Sequence, residues 1–178
     1  MTEAITRRKF LKAGTVGALL LAAAGLVRIE PASASADGAA PVSMLGTGAR
    51  DVLGAIVPVI LAGALPIDPT ARSERVRATV AGVDRVIAGL PSHARAELHD
   101  LFALLAFAPA RWWLTGLPRA WRQASADEIA TFLQQWRVSG WALKQQAYLA
   151  LHELVFAAFY ADPASWPAIG YPGPPRLD

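Results

Sequence analysis

Three histidines, His93, His99 and His152, are the side chains best suited to acid–base or metal chemistry in this chain. His93 and His99 lie six positions apart, on different faces of one helix. No two histidines stand at i, i+4, and no H-E-x-x-H motif is present, so the spacing of a helical zinc site is missing. His152 precedes Glu153 in an apolar stretch, a pair that could ligate an ion or act as a general base. The favoured reading is a single histidine hydrogen-bonded at the edge of a core. The chain has no cysteine, which excludes disulfides, thiolate zinc sites, iron–sulfur clusters and haem attached through C-x-x-C-H. G-x-S-x-G, P-loop and G-x-G-x-x-G motifs are absent. Asp127 and Glu128 are accounted for by helix capping. No catalytic, cofactor-binding or metal-binding set emerges, and that argues for a binding or accessory role.

The elements around these residues read as helices, with no strand-like alternation of any length. Val52 to Ile67 carries no charge and holds Pro58 near its middle, which predicts a kinked, buried helix. A second helix is expected from about Thr70 to Ala88, with Val76, Val80, Val83 and Ile87 on one stripe. Ser92 is placed as the cap of a third, whose apolar face is Leu98, Leu101, Phe102 and Leu105. Ala108 to Ala124 is punctuated by Pro109, Gly116 and Pro118, and alternates Trp112, Trp113 and Trp121 with Arg111, Arg119 and Arg122. Such interleaving could stack on nucleobases, but Trp and Arg more often anchor protein interfaces or pin loops onto cores. Ser125 and Glu128 form a capping box ahead of a helix bearing Ile129, Phe132, Leu133 and Trp136. From Trp141 to Tyr160 runs the most apolar helix, expected to be buried around most of its circumference. The fold class is therefore all-α: a bundle-like domain of roughly five antiparallel helices with an extended Pro/Gly-rich C-terminal tail.

The N-terminus carries an address. Arg7-Arg8-Lys9-Phe10-Leu11-Lys12 resembles a twin-arginine export signal, read by a translocase that carries folded proteins. The uncharged run Ala13 to Val27 has the length of a signal h-region and is short for a membrane span. Two A-x-A frames follow, ending at Ala34 and Ala36, with cleavage expected after Ala36 and Ala34 as the alternative. The expected organisation is a cleaved leader at 1–36, a flexible lead-in at 37–47, a helical domain at 48–161 and the tail at 162–178. The leader holds five cations (Arg7, Arg8, Lys9, Lys12 and Arg28) against Glu3 and Glu30. Of 17 cations and 14 anions in the whole chain, twelve of each remain beyond it. A neutral domain gives no electrostatic reason to expect nucleic acid as a partner.

The C-terminal stretch, Phe159-Tyr160-Ala161-Asp162-Pro163 through Trp166 to Ile169-Gly170-Tyr171-Pro172-Gly173-Pro174, is the second signal. With Trp136-Arg137-Val138-Ser139 and the apolar helix after it, it resembles the gluconate 2-dehydrogenase subunit 3 family. These are the small subunits of exported flavin-dependent sugar and alcohol dehydrogenases. The same segment resembles a stretch fused ahead of the flavin domain in some long-chain alcohol oxidases of the glucose–methanol–choline class. The resemblance covers Trp136 to Pro175. It implies that this chain binds no cofactor itself and partners a large subunit carrying FAD. It also implies help in that subunit's maturation and its escort through the twin-arginine translocase to the periplasm. A cytochrome subunit often anchors such complexes, which would place this chain at the membrane through its partners. On that footing Trp112, Trp113, Trp121, Tyr160, Trp166, Ile169, Gly170, Tyr171 and Pro172 are the candidate partner interface. Trp166, Ile169 and Tyr171 could dock into a groove on the large subunit, or the tail could fold back over this domain's own helices. The rival reading is a stand-alone exported helical protein that binds a lipid or other apolar ligand.

Overall fold

A computed structural model describes residues 45–172 of the 178-residue chain. The chain divides between Pro41 and Val42 into two units, and the described residues belong to the second. The export signal at Arg7, Arg8, Phe10, Leu11 and Lys12 and the cleavage frames at Ala34 and Ala36 lie outside the described residues, as does most of the lead-in.

The described residues are all-α and bundle-like. They form α1 (Thr47–Ile60), α2 (Pro69–Ala88), α3 (Ser92–Ala106), α4 (Ala108–Thr115), α5 (Ala126–Arg137) and α6 (Ala142–Tyr160). Short 3-10 segments cover Trp121–Gln123 and Pro163–Ile169. α1 is central and packs on α2, α3, α5 and the first 3-10 turn, while α2 and α5 both pack on α6. Its buried residues Ala49, Val52, Leu53, Ile56 and Val57 recur at three- and four-residue spacing, a single stripe of a 3.6-residue helix. Val83, Leu105, Ile129, Phe132, Leu151 and Val155 complete the centre of the core.

Two glycines allow close approaches. A Cβ on Gly48 would stand 2.6 Å from the Cβ of Ala106, so α1 meets the end of α3 where only glycine fits. A Cβ on Gly82 would stand 3.1 Å from the Cβ of Ala158, where α2 meets α6.

Several expectations need correction. The uncharged run is not one kinked helix. α1 starts five residues before Val52 and ends at Ile60, so Pro58 sits in its last turn. Gly63 then turns the chain at φ 88°, and Ile67 is exposed. Counting from the last charge missed the first turn, Thr47 to Arg50, and with it Asp51, which pairs with Arg122 at 2.7 Å. Ser92 does not cap α3: it is the first helical residue, and Pro91 occupies the cap position without a side-chain bond. α4 is a sixth α-helix within the stretch read only as punctuated, opened by Pro109 and closed by Gly116 at φ 76°.

α6 is not buried around most of its circumference. Its buried residues, Leu151, Leu154, Val155, Ala158 and Phe159, all lie in its second half, while Leu143 and Leu149 are exposed. Its 19 residues span about 28 Å, against about 18 Å for the 12 residues of α5, so one end overhangs that neighbour. The tail is not extended over Pro163–Ile169 but wound into 3-10 turns. Proline's fixed φ suits that conformation as well as an extended one. Asp162 opens the segment by accepting a hydrogen bond from the Ala164 N–H at 3.0 Å.

Candidate interaction surface

The six tryptophans fall into two sets. Trp121, Trp136 and Trp166 turn inward, and each indole N–H donates to a backbone carbonyl: Trp121 to Leu105 at 2.8 Å, Trp136 to Leu114 at 3.0 Å, Trp166 to Tyr160 at 2.8 Å. All three acceptors lie in the last turn of a helix (α3, α4 and α6 respectively), where carbonyls have no partner within the helix. Trp121 and Trp136 also meet Phe132 edge-on, with centroids 5.7 and 5.3 Å apart. Trp121 is therefore a core residue, and its place among the interface candidates is corrected: its ring is buried and its N–H engaged.

Trp112, Trp113 and Trp141 turn outward, at 65, 61 and 41% exposure. Trp113 and Trp141 meet edge-on at 6.0 Å, which joins α4 to the start of α6. The Lys144 ammonium lies 5.8 Å from the centre of the Trp141 ring. Val138 and Leu143, nearby in sequence, are also exposed. Trp141, Val138, Leu143 and Leu149 were missed as interface candidates. The signal for Leu143 and Leu149 was their place in a helix too apolar for its neighbours to cover.

The tail folds back in part. Arg75 of α2 donates to the Asp162 carboxylate at 2.6 Å and to the Ala164 carbonyl at 3.3 Å. Ser165 is buried and donates to the Asp162 carbonyl. Trp166 is half-buried, and Tyr171 meets it edge-on at 5.3 Å. Gly170 ends the turn at φ 69°. Ile169, Tyr171 and Pro172 are exposed, and Tyr160 is half-buried.

His152 stacks between Tyr148 and Phe156, with centroids 5.6 and 4.3 Å away. With Tyr160 these rings form a ladder at four-residue spacing on α6. Glu153 points elsewhere, into a groove of about 500 Å³ between α3 and α6. Leu98 and Leu101 form one wall, Leu143, Ala147 and Leu154 the other, and Glu97 and Glu153 are its only charged groups. A second groove, of about 770 Å³, runs along α1 and α2 and is more polar, with Arg50, Asp51, Arg77, Asp84 and Arg122 on its walls. Among the described residues no three of His, Cys, Asp and Glu are grouped to hold a metal ion. No helix among them is long and apolar enough to cross a membrane.

Compared with known protein families, with curated proteins and with solved structures, the chain matches none.

Proposed function

We propose that this chain is the non-catalytic small subunit of an exported FAD-dependent sugar or alcohol dehydrogenase, and that it escorts the flavin subunit through the twin-arginine translocase. The observation that carries this reading is the apolar surface left along the first half of α6. Leu143 and Leu149 are exposed on it, and the α3–α6 groove opens beside it. A helix in such a groove would bury apolar area on both sides, and the groove's two glutamates suit a partner segment with a basic residue. The tail adds exposed Ile169 and Tyr171 on a segment already tied in place by Arg75. The twin-arginine leader and the Trp136 to Pro175 resemblance supply the direction of export and the kind of partner.

The test is to express the tagged full chain beside a flavin-dehydrogenase gene from its own genome and recover both from the exported fraction. A flavoprotein that co-purifies, and that stays in the cytoplasm when Arg7 and Arg8 are replaced by lysine, is the expected outcome. An exported chain that leaves every such flavoprotein behind defeats the reading. The second reading, a stand-alone carrier, is favoured by the size of the α3–α6 groove, which falls within the range of small-molecule sites. Organic extraction of the purified chain separates the two, since a carrier releases one stoichiometric apolar compound.

A further inference from the structure

The outward tryptophans line neither groove. The sequence around them is rich in cations. Asp127 and Glu128, in the first turn of α5, are the only carboxylates from Leu101 to His152, the stretch that supplies all of α4 and α5 and the start of α6. That stretch carries Arg111, Arg119, Arg122, Arg137 and Lys144. Arg122 is taken by Asp51, and Arg111 is buried and donates to the Leu117 carbonyl. Arg137 and Lys144 form no ion pair with any described carboxylate, and Lys144 sits beside the Trp141 ring.

We propose that Trp112, Trp113 and Trp141, with Arg137 and Lys144, seat the domain on a bilayer containing anionic lipid. An indole with a free N–H and an apolar body prefers the headgroup boundary, where one end is wet and the other is not. The three indoles donate to no described group, in contrast to the inward set. Arg137 and Lys144, which pair with no described carboxylate, supply the attraction to lipid phosphates. A protein hot spot places its anchors against shaped pockets with fixed partners. This surface is instead made of helix ends bearing indoles and uncommitted cations, and a headgroup layer satisfies both without demanding shape. The assignment does not depend on the flavin partner.

The leader contains no tryptophan, so indole fluorescence of the full chain reports on the folded domain alone. The experiment adds vesicles of brominated phosphatidylcholine and phosphatidylglycerol, at about two to one, and measures quenching. Quenching is expected with the anionic mixture and not with brominated phosphatidylcholine by itself. The triple variant Trp112→Gln, Trp113→Gln, Trp141→Gln keeps only the inward indoles, and its quenching is expected to vanish. Should that variant not fold, Arg137→Gln with Lys144→Gln leaves every indole in place. That pair is expected to raise the lipid needed about five-fold per cation removed. An unquenched parent chain, equal quenching in the triple variant, or no change on removing both cations overturns the proposal. So does a purified protein complex in which these three indoles are covered by a second chain.

Discussion

The inward and outward tryptophans are one residue type in two environments, and the comparison shows what decides between them. Each inward indole reaches the end of a helix and satisfies a carbonyl the helix cannot satisfy itself. A buried indole without a partner would leave its N–H uncompensated, so these three become long-range caps that tie one element to the end of another. Trp121 ties the loop after α4 to α3. Trp136 ties α5 to α4. Trp166 ties the tail to α6. The outward three have rings of the same size but no carbonyl to reach, and they remain at the surface.

The sharpest way to break the comparison is to truncate one member of each set. Trp121→Ala removes a buried ring, opens a cavity beside Phe132 and orphans the Leu105 carbonyl, so a loss of about 3–5 kcal/mol is expected. Trp113→Ala removes an exposed ring and is expected to cost less than about 1 kcal/mol. Urea denaturation of both variants gives the two midpoints. Equal losses would mean that the outward set is structural after all.

The sorting could not be read from the sequence, because it depends on which helix end falls within reach of which indole. Trp112 and Trp113 follow Arg111 and Trp121 precedes Arg122, so inward and outward rings have the same kind of neighbour. Local chemistry was far more readable. Ser125 and Glu128 make both bonds of the capping box, since those partners are three residues apart and need no tertiary context. The Val83 and Ile87 stripe is buried as its period required, although Val76 and Val80, earlier on the same stripe, are only half-buried. α4 was missed although Pro109 at its start and Gly116 at its end are the usual helix punctuation. Eight residues hold too few apolar positions to register a period. The tail was missed for a different reason: five prolines fix φ but leave ψ open, and the choice fell to Asp162, Ser165 and Arg75.

A middle-sized effect probes the third cap. Arg75→Ala removes the partly exposed ion pair to Asp162 and the bond to Ala164, at a cost of about 1 kcal/mol. Most of its consequence should be local. Without Arg75 the only described side-chain bond holding the tail to another element is Trp166 to the Tyr160 carbonyl, so cleavage of the tail by a protease should quicken well before global unfolding does. If the tail stays as resistant as in the parent chain, Trp166 alone fixes it and the inward set is stronger than the ion pair.

The smallest effect concerns the cap that holds α5, the helix carrying Phe132 and Trp136 to the inward set. The Ser125 backbone N–H donates to the Glu128 carboxylate at 2.8 Å, and the Ser125 hydroxyl accepts from the Glu128 N–H at 3.2 Å. The backbone bond, followed by the contact with the Ser125 side chain, holds the Glu128 pKa below its ordinary value. A carboxylate whose pKa is lower folded than unfolded stabilises the fold at neutral pH, above its unfolded value of about 4.3. That contribution fades as acid carries the solution down through the lowered folded value. Glu128→Gln should therefore lower neutral stability slightly and flatten the acid side of the profile, with parent and variant converging in acid; the effect is small because Glu128 is solvent-exposed at the helix start and the amide can still accept one bond. Near-ultraviolet circular dichroism during acid titration follows the Phe132–Trp136 packing directly. A profile identical in the parent and in Glu128→Gln would show that α5 is held by its aromatic face alone, with the cap contributing nothing to the inward set.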